Sequence, residues 1–232
     1  MEIEMKAKIS DEIAKLCVND EVDFYHITRG GGWEGLFKKD VFYSFNGDAP
    51  LKPKNIVRER TEAKITEGDF LDIIHGGYIQ IGEMKNFITV KRKNTDCNGV
   101  EMNEEYEGEV SEDAACAFRH AMAAANFKPY FSKNKNSVSF YVQGDKMKHE
   151  LHCEIVNVSG AGPFLEIETI VSDDADDNEK HQAQSEIEQY FWCLGIKEFD
   201  KRDWPTIIKV AYRHLRGRGR VVALGRRRRR DL

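Results

Sequence analysis

The segment Glu2-Ile3-Glu4-Met5-Lys6-Ala7-Lys8-Ile9 opens the chain and alternates charged and apolar residues without interruption. All of its even positions are charged and all of its odd positions are apolar. A period of two places each set on its own face of a β-strand. The segment therefore predicts a strand with one charged face and one apolar face.

Charged residues recur at every second position in later segments, and there they are sorted by sign. A surface selected only for solubility would mix the two signs. A solvated outer face is the alternative for any single strand, but the sorting favours an inward face that binds a ligand. The acidic sets are Glu2/Glu4, Glu105/Glu107/Glu109 and Glu166/Glu168, and the basic sets are Arg58/Arg60, Lys91/Lys93 and Lys133/Lys135.

The same order of elements occurs twice along the chain: a strand with Glu-x-Glu, a helix, then strands with basic residues. Ser10 and Ser111 are predicted to begin the two helices. Two such halves give about eight strands, which can close into one antiparallel barrel. The sequence thus predicts an α+β fold, a closed eight-stranded antiparallel β-barrel (tunnel) with flanking helices and two pseudo-repeated halves. Arg29–Gly35 is interpreted as a mobile surface loop, and Lys135-Asn136 as a turn between two strands.

The composition limits the class of protein. A chain of 232 residues with 41% hydrophobic content can build one sizeable core. No apolar run approaches the roughly 18 residues of a membrane span, and the charged N-terminus argues against a signal peptide. Five scattered cysteines, each interpreted as a small buried apolar residue, favour a reducing cytoplasm over a disulfide framework or zinc site.

The net charge of -5 conceals an asymmetry. Nine arginines and one aspartate lie between Arg213 and Leu232, so the rest of the chain carries 26 basic and 39 acidic residues. Such an acidic body makes nucleic acid an unlikely main partner. We assign 1–215 to one domain and 216–232 to a disordered Arg-rich tail, either an expression-vector addition or a polybasic arm for RNA binding or targeting.

Charges on an inward face require a ligand, because a buried charge costs several kcal/mol unless it is paired or coordinated. Rows of lysine and arginine suit the oxygens of a polyphosphate. Two carboxylates at positions i and i+2 of a strand point the same way and suit a hard divalent cation, Mg²⁺ or Mn²⁺. The pattern predicts a metal-dependent site for a polyphosphate.

The ordered motifs resemble those of the CYTH superfamily, the triphosphate tunnel metalloenzymes. Glu2–Lys6 is similar to the family's ExExK strand, and Val158–Glu168 is similar to its V-x-G-L-G-x-F-x-E-I-E segment. Between and after them, in the family's order, come Asp40–Tyr43, Arg58–Arg60, Ile88–Lys91, Glu105–Glu107, Phe127–Pro129, Lys133–Lys135 and Leu194–Ile196.

The resemblance covers residues 2 to about 212 and implies roles for individual residues. It implies catalytic or tunnel-lining roles for Lys6, Glu105 and Glu107, of which the two glutamates would bind metal or orient the basic residues. It implies that the metal is held by Glu2, Glu4, Glu166 and Glu168. It implies that the triphosphate is bound by Arg58, Arg60, Lys91, Lys133 and Lys135.

Three positions depart from the family pattern. Asn103 stands where the family often has arginine, so Arg92 or Lys93 would have to compensate. Val156 stands at a frequent aspartate position, with Glu154 the nearest acid on that face. The long stretch between Arg60 and Lys91 leaves Lys85 as an alternative to Lys91.

The resemblance implies hydrolysis of a nucleoside or other organic triphosphate, or of tripolyphosphate. The alternative is a class IV adenylyl cyclase that makes cyclic AMP and pyrophosphate, and a further alternative is a non-catalytic binder of nucleotides or polyphosphate. We expect a monomer or homodimer in the cytoplasm with no membrane partner. His149 and His152 lie three apart on a predicted strand, so they face opposite ways and make a poor metal pair.

Overall fold

Nine strands and four helices build the part of the chain that the computed structural model describes, which is residues 1–18, 27–47, 55–95, 100–158 and 161–210. The Arg-rich segment 216–232 lies outside these ranges. Residues 204–210 are also helical. The strands are β1 (Glu2–Lys8), β2 (Ile27–Phe45), β3 (Asn55–Glu67), β4 (Gln80–Ile81), β5 (Lys85–Thr95), β6 (Glu101–Val110), β7 (Phe127–Gly144), β8 (Leu151–Asn157) and β9 (Pro163–Ile170). The helices are α1 (Asp11–Val18), α2 (Phe70–His75), α3 (Glu112–Ala124) and α4 (Asp177–Cys193).

Eight of the strands pair in an unbroken antiparallel ring. Their order is β2-β7-β8-β9-β1-β6-β5-β3, and β3 pairs again with β2. The short β4 pairs only with β3 and lies outside the ring order. The predicted α+β class with eight antiparallel strands and flanking helices is confirmed.

The apolar face of the strands packs outward against helices. Ile3, Ile155 and Ile167 are fully buried in the main core, together with Ile187 and Phe191 of α4. This burial of one alternating face fixes the strand register, because a slip of one residue would turn every charged side chain into that apolar core. The opposite, charged face of the strands is thereby directed to the inside of the ring.

The predicted helices begin where the sequence places them. Ser10 Oγ accepts a hydrogen bond from the backbone N–H of Ile13, and Ser111 Oγ accepts one from that of Ala114. Asp176 caps α4 in the same way through Glu179 N–H. None of the helices in these ranges has the length and apolar character required to cross a membrane.

Two local predictions are wrong. The glycine-rich segment Arg29–Gly35 lies within β2 rather than in a loop, and a register shift between Gly30 and Glu34 absorbs extra residues as a bulge. Asn136 likewise continues β7 instead of forming a turn, because it pairs with Phe37 on one side and Asn157 on the other. Long neighbouring strands override the local turn preference at both places.

The cysteine prediction holds in part. Cys17 and Cys153 are buried free thiols, and burial raises the pKa of Cys17 to about 12. Cys116 is exposed on α3 and Cys193 is only partly buried, so the prediction that every cysteine is a buried apolar residue is wrong for these two.

Candidate functional site

Ion pairs on the charged face reach across intervening strands, which shows that this face is concave. Lys91 on β5 contacts Glu2 on β1, although β6 lies between them. Lys135 on β7 contacts Glu166 on β9 across β8. These pairs bring the predicted site residues of separate strands into one network inside the ring.

Three carboxylates converge at one place on this inner face. Glu2, Glu4 and Glu168 each offer an oxygen, and these oxygens lie within 4.8 Å of one another. The register explains the convergence, because β1 and β9 pair with Glu4 directly opposite Glu168 and with Glu2 one step away on the same face. Three predicted metal ligands therefore form a cluster of hard oxygen donors, the donor type that Mg²⁺ and Mn²⁺ prefer.

The charge balance of this cluster is uneven. Burial, opposed only in part by Lys91, raises the pKa of Glu2 to about 9, with Glu4 and Glu168 adding repulsion. Burial acts on Glu4 in the same direction, but Lys91 and Lys6 outweigh it and hold the pKa of Glu4 below its ordinary value. One carboxyl of the cluster is thus protonated near neutral pH, which relieves repulsion that a divalent cation would also relieve.

Lys91 brings a positive charge into direct contact with this cluster. Its Nζ lies 2.8 Å from Glu2 Oε1, 3.2 Å from Glu4 Oε2 and 3.1 Å from Glu105 Oε2. The neighbouring candidate, Lys85, is exposed and pairs with Glu109. The structure therefore places Lys91, rather than Lys85, at the carboxylates.

The predicted arginine pair on β3 is held by acids from both sides. Arg60 Nε donates to Asp40 Oδ1 at 2.8 Å, and this carboxylate raises the pKa of the guanidinium despite burial. Arg58 Nη2 donates to Glu105 at 2.9 Å and to Glu107 at 2.8 Å. Fixed guanidinium groups are preorganised for forked hydrogen bonds to phosphate oxygens.

The two lysines on β7 differ in charge state although they are neighbours on one face. Burial lowers the pKa of Lys133 to about 7, against the opposing effect of Asp40 at 3.7 Å. Lys135 is equally buried, but Glu154 at 2.7 Å and Glu166 at 3.0 Å raise its pKa. Lys133 is consequently the basic group whose charge a phosphate would most readily increase.

Glu105 and Glu107 contact basic residues, and Glu105 also interacts with Glu2 of the carboxylate cluster. Glu105 binds Arg58 and Lys91, and Glu107 binds Arg58 and accepts a hydrogen bond from Thr89 at 2.5 Å. Both roles left open for them, metal binding and orientation of basic side chains, stay predictions. Lys6 is buried on the same face, in register opposite Glu166.

Glu166 has different contacts from the other three predicted metal ligands and is not part of their cluster. One of its oxygens accepts a hydrogen bond from Lys135 at 3.0 Å, and the other accepts one from Trp204 Nε1 at 2.6 Å. Trp204 also covers the ammonium of Lys133, which lies 5.1 Å from the centre of the indole ring. The indole therefore borders the site, a role that the sequence did not predict.

Two other residues of the inner face, Lys38 and His152, were not assigned to the site from the sequence. Lys38 is buried and forms an ion pair with Glu154. Glu154 is the acid nearest to Val156, the position at which the family often has aspartate. His152 Nδ1 lies 2.7 Å from Glu168 Oε1, and its Nε2 lies 2.7 Å from Ser139 Oγ. The period of two could have found them, since Lys38 alternates with Asp40 and His152 alternates with Glu154.

Asn103, which stands where the family often has arginine, places a buried amide group in the site. Asn103 is fully buried and pairs in register with Glu2 on one side and Lys93 on the other. Within the described ranges, neither its amide nitrogen nor its amide oxygen has a hydrogen-bond partner. Of the two proposed compensating residues, Lys93 shares this face, whereas Arg92 is exposed and pairs with Glu104.

The eight-stranded ring, lined by sorted acidic and basic rows, shares its fold with several solved structures, and this agrees with the fold that the sequence resemblance implies. The PH1819 protein of Pyrococcus horikoshii OT3 superposes with a TM-score of 0.63 at 22% identity, covering 90% of this chain and 98% of that one.

Two further solved structures carry descriptions of activity. A proposed adenylate cyclase from Vibrio parahaemolyticus has a TM-score of 0.58 at 14% identity and covers 90% of this chain and 97% of that one. HpAC1 from Hippeastrum, a proposed adenylyl cyclase described as having a dominant triphosphatase activity, has a TM-score of 0.55 at 14% identity, with 90% and 96% covered. No family model and no curated protein matches the chain.

Proposed function

We propose that this protein is a metal-dependent enzyme that hydrolyses a triphosphate within a closed tunnel formed by the strand ring. The observation that carries the proposal is the joint presence of the Glu2–Glu4–Glu168 cluster and the buried basic residues of β3, β5 and β7 on one inner face. Binding of a polyphosphate alone would need only the basic residues, so the carboxylate cluster supports catalysis over simple binding.

The donor set fits a magnesium or manganese ion. The cluster offers carboxylate oxygens, and the raised pKa of Glu2 together with the buried Asn103 amide marks it as short of positive charge and of hydrogen-bond partners. When bound, such an ion supplies neutralisation of phosphate oxygens and activation of the attacking water.

The chain's own residues bind and orient the substrate. Arg58, Arg60, Lys133 and Lys135 would exchange some of their carboxylate contacts for phosphate oxygens, and Glu105 and Asp40 would keep the guanidinium groups in place. A positioned triphosphate reacts faster because its phosphorus and the attacking oxygen are already aligned.

The comparisons favour one second candidate, the adenylyl cyclase reaction, since two neighbours of the fold are described in those terms and one of these with a dominant triphosphatase activity. The two reactions share metal and basic residues and differ in the attacking oxygen. Incubation with Mg²⁺ or Mn²⁺ and ATP, GTP, thiamine triphosphate or tripolyphosphate, followed by identification of the products, separates them. Free phosphate without a cyclic product supports hydrolysis, and cyclic AMP with pyrophosphate would reject it.

A further inference from the structure

An exposed aromatic ring stands on the inner face at the end of the ring that carries the carboxylate cluster. Tyr141 lies on β7 two residues beyond Ser139, so both side chains share the charged face. Its side chain is 45% exposed, whereas Phe42 and Trp204 beside Lys133 are both buried. Ile170, 78% exposed, faces the same end from β9, opposite Glu2 in register.

The ring of Tyr141 is supported from one side. Its centre lies 4.9 Å from that of His152, with an angle of 32° between the two planes, so the rings are stacked with a tilt. His152 is itself held by hydrogen bonds at both ring nitrogens, to Ser139 and to Glu168. The imidazole therefore acts as a fixed platform that orients the phenol ring.

Among the described residues, no second aromatic ring stacks on Tyr141 from the β2 side. In the register, Tyr141 is opposite Gly30, which has no side chain. The bulge that follows contains Gly32, around which no atom lies within 4 Å of the position that a Cβ would occupy. With a glycine opposite it in the register, Tyr141 stays 45% exposed at this end of the ring.

The charges around this ring are acidic. Burial is the main cause of the raised pKa of the Tyr141 hydroxyl, and Glu168, Glu150, Glu154 and Glu34 raise it further. An aromatic face among carboxylates suits a flat ligand that carries N–H donors or positive charge. A phosphate group alone would be repelled there.

We propose that Tyr141, supported by His152, is a stacking subsite for the heteroaromatic group of an organic triphosphate that bears amino or ring N–H donors. The inference rests on the proposed function, because the triphosphate of the same molecule would lie on the basic residues further inside. A stacking subsite at Tyr141 would restrict the proposed substrates to triphosphates that carry a nucleobase or a similar heteroaromatic ring.

The test compares ligands with and without a ring, using dissociation constants measured by calorimetry in metal-free buffer so that turnover plays no part. Tripolyphosphate is the internal reference for each variant, and ATP and thiamine triphosphate are the ring-bearing ligands. Loss of one base–aromatic stack weakens binding by about 5- to 160-fold. We expect Tyr141→Ala and Tyr141→Leu to raise the ratio of the ATP or thiamine triphosphate constant to the tripolyphosphate constant by that factor.

Two controls separate stacking from general damage. Tyr141→Phe keeps the ring and should keep the ratio near that of the wild type. Tyr106→Ala removes a tyrosine that is 68% exposed on the outer face of β6 and should change no constant. A ratio that stays constant in both Tyr141→Ala and Tyr141→Leu overturns the subsite, whether or not the overall affinity falls. Absence of turnover with tight, ring-dependent binding would instead reject only the proposed hydrolysis.

Discussion

Replacement of Lys91 by methionine tests whether the carboxylate cluster is a site for positive charge. The ammonium of Lys91 lies within 3.2 Å of Glu2, Glu4 and Glu105, and all four side chains are less than 20% exposed. Removing one partner from a buried ion pair typically costs 3–5 kcal/mol, because the remaining charges stay buried and uncompensated. We expect Lys91→Met to lose about 3–5 kcal/mol of unfolding free energy at pH 7.5 without divalent metal.

The pH dependence of this loss has a definite sign. Lys91 helps to hold the pKa values of Glu4 and Glu105 below their ordinary values. A carboxylate with a depressed pKa in the folded state contributes stability that is present above its unfolded pKa and lost as the pH falls. The difference between wild type and variant should therefore be fully present at neutral pH and shrink as the pH falls below the ordinary glutamate pKa of about 4.3, toward the depressed pKa values of the folded state.

Urea unfolding with and without Mg²⁺ measures these effects. A cation that binds the folded state at 100 times its dissociation constant stabilises by about 2.7 kcal/mol, so Mg²⁺ should restore much of the loss in Lys91→Met. Lys85→Met is the matched control on the same strand, since its pair with Glu109 is solvent-exposed and should contribute little to stability. Equal losses in the two variants, or no response of Lys91→Met to Mg²⁺, would refute the reasoning.

Three other predictions address the same inner face. His152→Ala removes the hydrogen bond to Glu168 and should weaken Mn²⁺ binding by about 10- to 100-fold in calorimetry; an unchanged constant would show that His152 does not position this carboxylate. Since the pKa of Glu2 is about 9, Mn²⁺ binding at pH 7 should release about one proton, seen as a dependence of the binding enthalpy on the buffer; no such dependence would contradict a protonated Glu2. Because the pKa of Lys133 is about 7, metal-free affinity for tripolyphosphate should fall as the pH rises from 6 to 8, and Lys133→Arg, charged throughout, should lose this decline; a decline of the same size in that variant would assign it to another group.

The periodicity of charge was enough to predict the inner face. It placed Glu2, Glu4, Arg58 and Lys91 on inward-facing positions, because one apolar face per strand leaves no freedom in register once it is buried. Sorting of the charges by sign then indicated a ligand rather than a solvated surface. These are properties that short segments carry on their own.

The division of contacts among the acids could not be predicted in the same way. Glu166 and Glu168 are equivalent in the sequence pattern, yet Glu166 contacts Lys135 and Trp204 while Glu168 joins the cluster. That difference depends on which side chains arrive from β7 and from the segment 204–210. Such long-range neighbours, like the bulge after Gly30, are set by packing of distant strands and leave no local signal.

We propose that Glu2, Glu4 and Glu168 bind a divalent cation. The basic residues of the same inner face would bind the triphosphate, whose oxygens would contact this cation. A crystal structure with Mn²⁺ and a non-hydrolysable triphosphate tests it directly through the anomalous signal of manganese. We expect a manganese peak within about 2.5 Å of oxygens from these three carboxylates, with phosphate oxygens on Arg58, Arg60 and Lys135. A manganese peak elsewhere, or a triphosphate bound outside the ring, would contradict it.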